Sequence, residues 1–142
     1  MRVSALSATA ALVAATLAAG AAPATADTPA GPVLSVPLEA GKGHHHNIGA
    51  VTYERVDGAV NSVRIISVDI TGGELDCAWV SWNDPDSPNG WTNLSSEPSC
   101  NGTELVEYPD RIIKAPAGHP LKVRLLADHP GNDVVHKDIE KL

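Results

Sequence analysis

The run Gly41-Lys42-Gly43-His44-His45-His46 holds three of the chain's six histidines. In an extended chain residues i and i+2 share a face, so His44 and His46 could offer two imidazoles to one cation while His45 points away. A zinc site needs three or four ligands. The missing ones would come from His119, His129, His136 or Asp128. No HExxH, no paired CxxC and no facial triad accompanies the run. The competing reading is a polar, solvated loop loosened by Gly41 and Gly43, and this is the expectation. Such a loop would still pick up zinc, nickel or copper adventitiously, because neutral imidazole is a general ligand.

A second group is aromatic. The stretch Cys77-Ala78-Trp79-Val80-Ser81-Trp82 leads through a loop at 83–90 to Trp91, so all three tryptophans of the chain fall close together. On one strand Trp79 and Trp82 have opposite parity. One must face the core and the other must face solvent or sit under a loop. A flat indole beside a polar loop can stack on a sugar ring or anchor a protein partner. Trp82 and Trp91 are the expected ligand-facing pair, with Asp84, Asp86 and Asn89 of the intervening loop beside them. Those three side chains also offer oxygens for calcium. However, the EF-hand spacing is not met and Pro88 intrudes, so an Asx-rich turn is the better reading. Neither a resident metal nor an organic cofactor is expected.

Hydrolytic chemistry has little support. No serine sits in G-x-S-x-G, and a glycosidase carboxylate pair is defined by its separation across a cleft rather than by spacing in sequence. The reading is therefore non-enzymatic.

The surroundings of these residues narrow the compartment. Residues 1–26 have the three parts of a secretory signal peptide: Arg2, an uncharged run rich in Ala, Val and Leu, and a small-x-small triplet at Ala24-Thr25-Ala26. A tail at 27–32 and a domain at 33–142 would follow, leaving about 116 residues after cleavage, the size of one domain. Cys77 and Cys100 are the only cysteines, and in an exported chain they should pair. The residue usage is that of a GC-rich bacterium. With 17 acidic against 10 basic residues and a formal net charge of −7, nucleic acid is an unfavourable partner. An anionic membrane surface is disfavoured for the same reason.

The elements that would position these residues have a period of two. Strands are expected at 33–36, 48–56, 62–71, 74–82, 91–94, 105–108, 111–114 and 121–126, with Ile66, Val68 and Ile70 inward on the third. Gly, Pro, Asn and Asp turns separate them. Only 134–142 suggests an amphipathic helix. The fold class is thus all-β: a small antiparallel β-sandwich, Ig-like or related, of about seven short strands with one disulfide.

The tetrapeptide Cys77-Ala78-Trp79-Val80 resembles a short piece of the neocarzinostatin-type apoproteins, secreted sandwiches that carry an enediyne. That family's second disulfide has no counterpart here, and no ligand or binding residue is carried over. The expected function is an extracellular, monomeric recognition module for carbohydrate or protein. The alternatives are a protease inhibitor presenting the 83–90 loop from a disulfide-tethered base, and a metal binder at His44 and His46.

Overall fold

The computed structural model describes residues 31–59, 61–128 and 135–142. The leader at 1–26, most of the 27–32 tail and His129 lie outside them. Two five-stranded antiparallel sheets face each other. The first has the order β1 (Val33–Ala40), β2 (Asn47–Arg55), β3 (Ser62–Thr71). The free edge of β3 is then shared by two short strands, β7 (Glu104–Glu107) and β8 (Arg111–Lys114). The second sheet has the order β10 (Val135–Lys141), β9 (Lys122–Asp128), β4 (Cys77–Trp82). Here β5 (Thr92–Asn93) and β6 (Ser99–Cys100) share the far edge of β4. The expected sandwich is therefore present, with ten strands among the described residues.

Alternation decides which side chains fill the space between the sheets. In the first sheet Leu38, Ala40, Val51, Tyr53, Val63, Ile65, Val68 and Ile70 are buried. In the second, Ala78, Val80 and Trp82 of β4 meet Val123, Leu125 and Ala127 of β9. With no Phe in the chain, the core is a β-branched and leucine core with one indole in it.

The parity of β3 departs from simple alternation. Thr52 pairs with Ser67 but Tyr53 pairs with Ile65, so the register against β2 slips by one residue at Ile66. A bulge of this kind puts two residues opposite one and flips the facing of everything beyond it. Val63 and Ile65 consequently point inward on one side of the bulge, and Val68 and Ile70 on the other. Ile66 does not join them, contrary to expectation.

Two further differences have physical causes. Strand β4 begins at Cys77 rather than at residue 74, because residues 73–76 form a turn in which the Asp76 N–H donates to the Gly73 carbonyl at 3.1 Å. The stretch expected as a helix at 134–142 is the edge strand β10, paired along its length with β9. Its mixed charges, Lys137, Asp138, Glu140 and Lys141, are those an exposed sheet edge uses to avoid pairing with another chain, and they hide the alternation.

Cys77 and Cys100 are directly opposite each other on β4 and β6, 4.1 Å apart at Cα, and form the expected disulfide. Closing a loop of this length stabilises the fold by about 3 kcal/mol in the chain-entropy account.

Candidate functional site

The histidine run is not extended. Gly43–His45 forms a single 3₁₀ turn, in which successive side chains are spread around an axis at three residues per turn, so the i, i+2 facing does not hold. Each imidazole then meets a different carboxylate. His44 Nδ1 lies 2.5 Å from Glu74 Oε2, His45 Nδ1 lies 2.7 Å from Asp76 Oδ1, and His46 Nε2 lies 2.9 Å from Glu39 Oε1. No group of three or more metal-ligating side chains converges among the described residues. His119 sits in the 115–120 loop, where its N–H donates to the Pro116 carbonyl, and His136 falls on β10.

The centre of this region is a buried polar clasp. Asp76 and Asn47 are both 0% exposed. Asn47 Nδ2 donates to Asp76 Oδ2 at 2.8 Å and to the His45 carbonyl at 2.8 Å, while its Oδ1 accepts from the Gly73 N–H at 2.7 Å. A Cβ on Gly73 would lie 2.7 Å from the His44 carbonyl oxygen, and one on Gly72 would lie 2.3 Å from that of Ser99. Only glycine lets these backbones approach. The clasp ties the 41–46 turn, the 72–76 turn and the 99–103 turn into one end of the sandwich, beside the disulfide. Its hydrogen bonds satisfy buried polar groups, which is the structural demand of such a site.

The tryptophans resolve by parity. Trp82 shares the inward face of β4 with Ala78 and Val80 and is 9% exposed. Its expected role as a ligand-facing ring is corrected by this burial. Trp79 takes the outward face with Cys77, and Trp91 immediately precedes β5, at the same parity as Asn93.

The 83–90 loop is braced from within. Asp84 Oδ1 accepts from the Asp86 N–H and its Oδ2 from Thr92 Oγ1, at 2.9 and 2.5 Å. Ser87 Oγ donates to the Trp91 carbonyl at 2.8 Å. Both carboxylate oxygens of Asp84 are thus engaged in an Asx turn, while Asp86 and Asn89 are exposed.

The base of this loop is held by Asn83, not by the disulfide. Asn83 Oδ1 accepts from the Lys122 N–H at 2.6 Å, and its Nδ2 donates to the Pro120 carbonyl at 2.9 Å. Cys77 stands at the other end of β4, roughly 20 Å away at ~3.3 Å per residue.

What the structure brings together instead is the outer face of the second sheet. Directly paired residues share a face, so the register places Asn93, Ser81, Arg124 and Ile139 in one row across four strands. Trp79, Leu126 and Lys137 form the next row. The Arg124 guanidinium carbon lies over Trp91, 4.2 Å from the ring centroid, a cation–π contact. Ser81 Oγ donates to Asn93 Oδ1 at 2.9 Å. Arg111 reaches over from β8 and donates from Nη2 to the Asn93 carbonyl at 2.8 Å. Burial pushes the Arg124 guanidinium below its ordinary pKa. The result is a flat surface with half-buried indoles, an exposed amide and a stacked guanidinium, beneath which Ser81 is fully buried. An open groove between the 55–63 turn, Pro120, Leu121 and Leu142 has no aromatic lining among the described residues.

Sequence reasoning had Trp91 but missed Arg124. The missing signal was the pairing of β9 with β4, which no local pattern specifies. No helix among the described residues is long and apolar enough to cross a membrane, and the disulfide fits an oxidising environment. In comparisons with known proteins, the chain matches no family model, no curated protein and no solved structure.

Proposed function

We propose that the protein is an exported, non-enzymatic recognition module that binds a saccharide chain on the outer face of its second sheet. The observation carrying this reading is the Trp91–Arg124 stack beside Trp79 and Asn93. An indole offers its flat, electron-rich face to the C–H faces of a sugar ring, while the exposed Asn93 amide alongside can hydrogen-bond its hydroxyls. Strands on both sides fix these groups before any ligand arrives, which lowers the ordering cost of binding. The leader at 1–26 would deliver the chain outside the cell, where one disulfide-bonded domain would work as a monomer. Glycan binding by the mature protein, followed through tryptophan fluorescence, tests the reading. Trp91→Ala should abolish it, Trp79→Ala should weaken it, and chelator should leave it unchanged.

The two alternatives are less well supported. An inhibitor loop would draw its rigidity from Asn83, and its binding should survive Trp91→Ala and slow a secreted protease stoichiometrically. A metal binder would have to free His44 and His46 from Glu74 and Glu39.

A further inference from the structure

Four of the chain's ten lysines and arginines lie together on the outer face of β9 and β10. Lys122 pairs with Lys141, and Arg124 with Ile139, while Lys137 stands opposite Leu126. Inward neighbours Val123 and Leu125 are fully buried, so Lys122 and Arg124 must point out. Ile139 on the same face is 43% exposed. The acidic residues of β10, Asp138 and Glu140, alternate to the opposite side, where Asp138 Oδ2 accepts from the Glu39 N–H at 3.0 Å. Asp128 is the one carboxylate on the outward rows of β4, β9 and β10, at the disulfide end.

None of the four cations makes an ion pair among the described residues. Arg124 Nε is buried without a hydrogen-bond partner there. In a chain of net charge −7, this face has the opposite sign to the rest of the molecule.

Building on the saccharide reading above, we infer that the ligand is an anionic glycan, a chain of carboxylate-bearing sugars. The flat indoles of Trp91 and Trp79 would take the ring faces. Arg124, its guanidinium carbon held over Trp91, carries the planar group that can pair a carboxylate bidentately. Lys137 and Lys141, four residues apart on one strand and so about 13 Å from each other, would meet acidic groups further along the same chain. A sheet face open at both ends admits a polymer, whereas a small anion would need an enclosing pocket. An anion on Arg124 also relieves the cost of half-burying an unpaired charge.

The test is calorimetric titration of the mature protein with a panel of uronate oligosaccharides, their methyl esters and polyglutamate, at low and high salt. The expected result is binding of an acid oligosaccharide that weakens with salt. It should be about tenfold weaker for the ester and about tenfold weaker for Lys137→Glu plus Lys141→Glu, a change of ~1.4 kcal/mol. Trp91→Ala, checked for an unchanged thermal transition, should remove it. Equal, salt-independent binding of acid and ester would overturn the anionic assignment and leave the saccharide reading standing. Polyglutamate binding as tight as the sugar and indifferent to Trp91→Ala would overturn both. Failure of every uronate chain to bind, with neutral glycans still bound, would overturn the inference alone.

Discussion

Asn47 is the residue on which the histidine end of the molecule depends. Its amide meets the Gly73 N–H, the His45 carbonyl and Asp76 at once, all in a place water does not reach. Asn47→Ala would remove a hydrogen bond from the buried Asp76 carboxylate and take the acceptor from the buried Gly73 N–H, and should cost about 2–4 kcal/mol, read as a lowered denaturant midpoint with unchanged slope. His44→Ala should cost far less. Its pair with Glu74 is exposed on both sides, and such pairs contribute about 0–1 kcal/mol. The histidine run thus owes its order to a residue outside it. Only the types and their adjacency were legible in sequence; which carboxylate each ring would meet depended on Glu39, Glu74 and Asp76 arriving from other turns. The parity of Trp79 and Trp82 was legible. Which of the two faced the core was not, since that is fixed by which side of β4 the first sheet covers.

At the scale of elements, turns are as decisive as strands. Gly73→Ala puts a Cβ against the His44 backbone, and backbone cannot yield as a side-chain tip can. It should therefore destabilise by a few kcal/mol and expose the 72–76 turn to hydrogen exchange before the rest of the fold. Replacing Cys77 and Cys100 together by alanine should lower stability by about 3 kcal/mol. It should leave glycan binding intact, because Asn93 and Arg124 flank Ser81, four residues along β4 from Cys77. A loss of binding in the reduced protein would mean that the disulfide positions the site after all. Strands with one buried face were readable from their alternation. The bulge at Ile66 and the edge strand β10 were not. One breaks the period locally, and the other carries charges on both faces because little of it is buried, with residues 137 and 139–141 exposed.

For the molecule as a whole, charge is distributed by face rather than by segment. The net charge of −7 describes how the chain as a whole repels other anions, but the outer face of β9 and β10 is cationic. A sum over the sequence cannot show this, because the sorting is done by alternation and by the pairing of two strands. Association with an acidic glycan should accordingly quicken at low ionic strength through local rather than overall attraction. The central claim is that recognition happens on the outer face of the second sheet. Its most direct test is an NMR titration of the isotope-labelled mature protein with a bound oligosaccharide. Shift changes should be confined to Trp79, Ser81, Trp91, Asn93, Arg124, Leu126 and their neighbours on β10, with the indole N–H of buried Trp82 little affected. Changes centred instead on residues 41–46 and 72–76, or on the 83–90 loop alone, would contradict the account.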